Sequence, residues 1–291
     1  MHPYKTPLRY AGGKQKLFPF IGEVMSANEL DGADYVEPYA GGAGIAIELL
    51  LQGKTAHIHL NDASPAVYAF WRSILTKTDA FCRRIGGVSL TVEEWRRQRD
   101  VLRAPGGHSQ FDLGFSLFYL NRCNRSGIPS GGVIGGLDQT GPWKIDARFP
   151  RTELIQRIEA IAARRRVITI KNQDAEEYIR TYVPKLPRKT LVYCDPPYYH
   201  QSSRLYLNRY GPADHVRIAT VIQRFLKRPW IVSYDSAPEI RRCYSGRKSF
   251  AYSLQYNARN VYKGTEIFIF SDRLQIPKQS AVECIQAAIG A

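Results

Sequence analysis

The chain lacks the cysteine pattern that would staple it or load it with metal. Its five cysteines are Cys82, Cys123, Cys194, Cys243 and Cys284. Their number is odd, they are scattered, and none forms a Cys-x-x-Cys pair. That excludes a disulfide framework and a structural zinc site, and it fits a reducing cytoplasm. No apolar run approaches the roughly 20 residues needed to span a bilayer. Lys5 and Arg9 are not followed by an apolar stretch of signal-peptide type, so neither a membrane span nor a leader is expected. Internal repeats and low-complexity tracts are also missing. The glycine-rich segments contain neither Gly-x-Gly-x-x-Gly nor a Gly-Lys-Ser/Thr ending, which excludes the usual dinucleotide and phosphate loops. His57 and His59 share one face of a strand with no cysteine or third histidine nearby. They are read as structural, and no metal is expected. Acid is scarce relative to base: 26 Asp and Glu stand against 41 Lys and Arg, a formal charge of +15. Such an excess favours a polyanionic partner, most simply nucleic acid.

What is present is a globular composition. The 291 residues are 44% hydrophobic and 23% charged, enough for one large or two modest domains with a real core. Tyr35-Val36 lead into Glu37-Pro38-Tyr39-Ala40-Gly41-Gly42-Ala43-Gly44, then a helical stretch from Ile45 to Leu51 and a strand from Thr55 to Leu60 that ends at Asn61-Asp62. Strand, glycine turn, helix, strand and acid in that order form a nucleotide-type half-fold. From residue 63 to 165 helical patterns take over, as in Pro65–Leu75 and Val92–Leu102, and Thr91 with Glu94 reads as a capping box. Six glycines between Gly127 and Gly141 mark a mobile loop or hairpin. Arg164-Arg165-Arg166 reads as a solvated helix end. The α/β alternation resumes at Val167–Ile170 and continues through Thr190–Cys194, Trp230–Tyr234 and Thr265–Phe270, with a helix over Asp214–Leu226 and a short helix or loose tail after Ile276. The expected fold class is α/β, with residues 1–62 and 166–291 forming one domain and 63–165 an inserted, mainly helical one.

The chemistry concentrates where strands end. Asp195-Pro196-Pro197-Tyr198 follows the apolar run Thr190–Cys194, and open α/β sheets bind ligands at the carboxyl ends of their strands. A flat base would lie on Tyr198 with its amine pointing at Asp195. An exocyclic amine carries two hydrogens, and Asp195 with the carbonyl of Pro196 would accept both. The glycine turn after Glu37 lets backbone approach a ligand closely. Glu37 disfavours a phosphate there and suits positive charge or free hydroxyls, while Asp62 is placed to accept from ribose hydroxyls. A cationic ligand with a ribose points to S-adenosylmethionine. A second glycine turn, Leu8-Arg9-Tyr10-Ala11-Gly12-Gly13-Lys14, opens onto a helix.

These motifs, in this order, make the chain resemble the Dam-like, alpha-class DNA adenine-N6 methyltransferases, and the likeness runs nearly end to end. It rests on Tyr10 to Lys14, Glu37 to Gly41, Asp62, the insertion, and Asp195 to Tyr198, with later similarity at Asn172-Gln173-Asp174, Asp214-His215 and Lys263-Gly264-Thr265-Glu266. The resemblance implies a Rossmann-like S-adenosylmethionine-dependent methyltransferase fold whose insertion recognises the target. Tyr10, Gly12, Lys14, Glu37, Pro38, Ala40, Gly41, Gly42 and Asp62 would contact S-adenosylmethionine, with Asp174 near its adenine, and S-adenosylhomocysteine would be the product. Asp195, Pro196, Pro197 and Tyr198 would hold a flipped target adenine. Asn121-Arg122-Cys123-Asn124-Arg125-Ser126-Gly127-Ile128 is similar to the family's recognition hairpin, with Arg125 in place of an aromatic and Ser126 in place of Asn. Arg122, Asn124 and Arg125 are therefore candidates for DNA contact. Tyr39 stands where the family has Phe, and the turn carries one glycine more than usual. The implied partner is double-stranded DNA, the implied setting a bacterial or phage-encoded, nucleoid-associated cytoplasmic monomer, free or in a restriction-modification pair. Transfer to cytosine N4 or to an RNA adenine, and a non-catalytic DNA-binding protein, are the competing readings.

Overall fold

The computed structural model describes residues 5–9, 14–199, 210–257 and 261–277. They divide into two units: Gly12–Ala63 with Val167–Ala291, and Met1–Ala11 with Ser64–Arg166.

The larger unit is built on one seven-stranded sheet. Its strands are β1 (Asp34–Glu37), β2 (Ile58–Asn61), β3 (Ile168–Lys171), β4 (Thr190–Cys194), β5 (Trp230–Asp235), β6 (Ser249–Asn257) and β7 (Val261–Phe270). The order across the sheet is β3-β2-β1-β4-β5-β7-β6. β1 to β5 run parallel, and β7 is antiparallel to both β5 and β6. Every residue of β2 and β4 is buried, as expected of parallel strands covered on both faces, and this is why they read as unbroken apolar runs. Helices α1 (Phe18–Ala27) and α2 (Gly44–Leu51) follow early in the chain. Phe20 of α1 packs on Phe268 and Phe250 with ring centroids 4.9 and 5.5 Å apart. The chain builds outward from β1 through β2 to β3, then returns to the centre for β4. The two directions part between β1 and β4, and the carboxyl ends of the parallel strands open a crevice there.

Strand β2 starts at Ile58 rather than Thr55, because the Thr55 hydroxyl donates to the Ala33 carbonyl and turns the chain before the ladder begins. β6 has no counterpart in the sequence reading.

The smaller unit holds five helices among the described residues: α3 (Pro65–Thr76), α4 (Thr78–Gly87), α5 (Val92–Arg103), α6 (Gln110–Cys123) and α7 (Arg151–Ala162). Side chains cap three of them. Ser64 accepts from Val67 N, Thr91 from Glu94 N, and Ser109 from Asp112 N, each satisfying an amide the first turn leaves open. Helix α6 is buried from Leu113 to Cys123 and lies so close to α3 that a Cβ on Gly114 would stand 2.6 Å from the Ala69 carbonyl. Phe70, Phe81, Phe115 and Phe118 fill the space between helices.

The boundary at residues 1–62 differs from the structure at its start. Thr6 to Arg9 group with the helical unit because Arg9 N donates to Asn121 Oδ1 (2.7 Å), Asn121 Nδ2 returns a bond to Arg9 O (2.6 Å), and Arg9 Nη1 reaches Asn124 O (2.9 Å). Among the described residues, no helix is long and apolar enough to cross a membrane.

Candidate active site

Asp195 stands directly after β4, at the crevice. Its Oδ1 accepts from Lys14 Nζ at 2.6 Å. The same ammonium lies 3.2 Å from Glu266 Oε2, donates to Ser233 Oγ at 2.5 Å, and sits 4.9 Å from the centre of the Tyr198 ring. Glu266, on β7, also receives the hydroxyls of Tyr198 (2.5 Å) and Tyr252. One lysine thus ties two carboxylates together in a nearly closed environment. Burial pulls the Lys14 pKa down, but Asp195 and Glu266 more than offset it, and the group stays charged with a pKa well above its ordinary value. For Asp195, burial raises the pKa, Lys14 lowers it and Glu266 raises it again, leaving it at about 6. The Asp195 side chain keeps 21% exposure. Only Oδ1 receives a bond among the described residues, so Oδ2 is left for a second donor.

Glu37 ends β1 beside this cluster. It is buried, and its Oε1 accepts from Ala46 N at 3.1 Å, in the first turn of α2. Burial lifts its pKa to about 8 against the pull of that hydrogen bond. A buried carboxylate held this high is suited to a ligand bringing hydroxyl donors or positive charge. The following turn is shaped for close approach: Gly41 and Ala43 have φ of 46° and 45°, and a Cβ on Gly44 would meet the Gln15 Cβ at 3.0 Å. Asp62, after β2, accepts from Gly41 N at 2.9 Å, which fixes the turn against the end of the second strand. Asn61 completes the clamp. Fully buried, it donates to the carbonyls of Pro38 and Gln173 (3.0 Å each) and accepts from Gln173 N (3.0 Å). Three strand ends are held by one amide side chain. These are residues a ribosylated cation would fit: acid on two strand ends and an apolar-walled turn between them.

Several of the expected site residues already hold partners within the protein. Tyr198, read as a platform for a base, is 3% exposed and its face already holds the Lys14 ammonium; in this structure it walls the site and orients Glu266. Lys14, read as a cofactor contact, is committed to Asp195. Asp174 caps α8 (Ala175–Thr181), accepting from Glu176 N and Glu177 N, so one of its oxygens is spoken for. Pro38, Ala40 and Gly42 lie in the turn as expected, with Ala40 N donating to Asn61 O at 2.8 Å. Pro196 and Pro197 are buried. Tyr10 and Gly12 lie outside the described residues, as do Cys284 and the stretch after residue 277.

Two of the three DNA-contact candidates already hold partners within the helical unit. Arg122 is buried and donates through Nε to the Arg148 carbonyl. Asn124 is buried, accepts from Trp95 Nε1 (2.6 Å) and donates to the carbonyls of Ile128 and Pro129 (2.9 Å each). Asn124 holds the backbone of its own turn, and Arg122 ties the end of α6 to the stretch before α7. Arg125 is exposed. His57 and His59 stack at 4.3 Å and bond to Thr169, Asp34 and Tyr182 at the opposite edge of the sheet. Among the described residues, no three metal-ligating side chains converge.

Glu266, Ser233, Tyr252 and Asn61 carry the site's polar network without having been singled out as site residues. The signals available were polarity inside otherwise apolar strands, Ser233 within Trp230–Tyr234 and Glu266 at the head of Thr265–Phe270, and for Glu266 its place in the family-like segment Lys263 to Glu266.

The sheet order and the acid-lined crevice define a doubly wound α/β protein with a ligand edge at its switch point. A model of the D12 class N6 adenine-specific DNA methyltransferases matches residues 10–259, most of the chain, and the chain belongs to that family. Its fold is a Rossmann-like α/β fold on a seven-stranded sheet. Solved structures with a similar chain trace include a SAM-dependent methyltransferase from Agrobacterium tumefaciens (9% identity, 89% of this chain and 62% of that one, TM-score 0.40). Another is the rRNA methyltransferase aviRa from Streptomyces viridochromogenes (12%, 91% and 87%, 0.34). A third is a protein from Legionella pneumophila (10%, 95% and 91%, 0.38). No curated protein matches the chain by sequence.

Proposed function

We propose that the protein transfers a methyl group from S-adenosylmethionine to the exocyclic N6 of an adenine in double-stranded DNA. The observation that carries this reading is Asp195: a carboxylate at the switch point, tethered through Oδ1 and open at Oδ2, in a chain of the adenine-specific family. Glu37, Asp62 and the Gly41–Ala43 turn are the residues that would hold S-adenosylmethionine, which when bound supplies an electrophilic methyl.

The adenine amine is a weak nucleophile because its lone pair is delocalised into the ring. Hydrogen bonds from that amine to Asp195 Oδ2 and the Pro196 carbonyl favour a pyramidal nitrogen and stabilise the positive charge that grows on it during attack. Fixed acceptors also place the nitrogen in line for transfer, which removes much of the entropic part of the barrier. Lys14 keeps Asp195 ionised and so keeps it an acceptor. The target base is inaccessible within a duplex, so it is turned out of the stack to reach this carboxylate.

The test is to incubate the protein with unmethylated duplex DNA and methyl-labelled S-adenosylmethionine and to identify labelled nucleosides by mass spectrometry. Labelled N6-methyldeoxyadenosine, reduced by about 10²-fold or more in Asp195→Ala, is expected. Label on N4 of cytosine or on RNA alone sinks the base or polymer assignment. An Asp195→Ala protein with full activity sinks the mechanism.

A further inference from the structure

The segment between α6 and α7 shows what it hides and what it presents. Val133, Ile145 and Phe149 are buried, and the Phe149 ring packs 5.5 Å from Phe118 and 5.9 Å from Tyr119. Between these anchors the chain rises into a lobe where Leu137 is 54% and Trp143 69% exposed. The other three tryptophans of the chain, Trp71, Trp95 and Trp230, are buried. An isolated exposed leucine needs no explanation. A tryptophan held out on a constructed lobe does.

The lobe is constructed by its own hydrogen bonds. Gln139 Nε2 donates to the carbonyls of Ile134 (2.8 Å) and Gly136 (2.6 Å), Gln139 Oε1 accepts from Ile145 N (2.9 Å), and Lys144 Nζ donates to Gln139 O (2.5 Å). Gly135, Gly136 and Gln139 adopt φ of 88°, 81° and 51°, a left-handed run costly for any residue but glycine. Gly135 lies so close under the Trp143 carbonyl that a Cβ there would be 2.8 Å from its oxygen. Backbone strain and a glutamine's full bonding capacity are spent on holding one indole in solvent. Within the lobe, exposed Lys144 and Arg148 stand beside exposed Asp138 and Asp146, and exposed Arg125 lies upstream of it. The unit that carries it holds 19 Lys and Arg against 9 Asp and Glu.

We propose that Trp143 is a base-stacking residue: the indole enters bound duplex DNA and lies against the face of a nucleobase, while the cationic excess of the helical unit draws the phosphates. Apolar wedges that part base steps and aromatic rings that cap bases are recurrent devices in nucleic-acid binding. The inference rests on the DNA reading above, and its test separates the two. Duplex binding is followed by anisotropy of labelled DNA and by tryptophan emission. Duplex DNA is expected to quench the emission of the native protein, and Trp143→Ala to lose that quenching and about tenfold in affinity. Trp143→Phe is expected to keep most of the affinity. The dependence of affinity on salt stays unchanged in both, because an indole neutralises no phosphate. Gly135→Ala, which keeps the indole in the chain but pushes against the Trp143 backbone, is expected to weaken binding in the same way. S-adenosylmethionine binding stays native in all three variants. DNA bound with native affinity by Trp143→Ala, without quenching in the native protein, overturns the stacking role and leaves the DNA reading standing. Native protein that binds no DNA overturns both. Concentration-dependent self-association that disappears in Trp143→Ala would instead assign the indole to a second copy of this chain and overturn the proposal.

Discussion

Lys14 and Glu37 are two residues whose charge state decides how the site behaves. Asp195 accepts a hydrogen bond from an amine only when ionised, and its pKa is lifted to about 6. Methyl transfer should therefore fall as pH drops through about 6, with a one-proton profile. Lys14 is the group that lowers this value, so Lys14→Gln should move the inflection upward, visible in single-turnover rates measured from pH 5 to 9. An unmoved inflection would separate Lys14 from Asp195. Glu37 works on stability. Its folded pKa of about 8 stands above the ordinary carboxylate value of 4.5, so its contribution is present in full below that lower value and is lost as pH rises through 8. Glu37→Gln should thus be more stable than the native protein at pH 8, by up to a few kcal/mol, with little difference at pH 4.5, while binding S-adenosylmethionine poorly. Thermal melts at the two pH values, with and without ligand, check both halves. On the proposed reading, a destabilised acid is kept for ligand binding, a common exchange of stability for function.

At the scale of elements, close approaches decide what can be changed. Gly114 lets α6 touch the backbone of α3, and Gly114→Ala should cost about 1–3 kcal/mol or more by overpacking, read as a lower urea midpoint. Asn61→Ala leaves two carbonyls and one amide unpaired across three strand ends and should cost about 3 kcal/mol. Residues that must fill a strand or cap a helix were legible in the chain. Thr190–Cys194 reads as a covered strand, Thr91 and the glycine turn mark a helix start and a turn, and Asp195 and Glu37 stand out because acid follows apolar runs there. Other features depend on which strands become neighbours, and linear spacing does not reveal that. Glu266 acquires its role because β7 pairs with β5 and β6, placing it opposite Asp235 and Tyr252 and within reach of a lysine from the far end of the chain. Arg122 and Asn124 have the right chemistry for base edges, but α6 is buried on all sides at its end, so the same hydrogen-bonding capacity turns inward.

For the whole molecule, charge is unevenly shared. The smaller unit has 19 basic and 9 acidic residues, the larger 22 and 17, so two thirds of the excess sits in the unit without the crevice. DNA affinity should fall linearly on a logarithmic salt scale, and Arg125→Ala should flatten that slope by about 1 if its guanidinium meets one phosphate. Filter binding between 50 and 300 mM salt decides this, and an unaltered slope removes Arg125 from the interface. The division of the chain has a hereditary side as well. The polypeptide passes from one unit to the other at residues 11/12, 63/64 and 166/167, and the leading stretch is bonded to Asn121 and Asn124 through Arg9. A hybrid gene that swaps only codons 64–166 between relatives therefore pairs one parent's N-terminus with the other's helices. The helical unit is inherited intact only when two separate stretches of gene travel together.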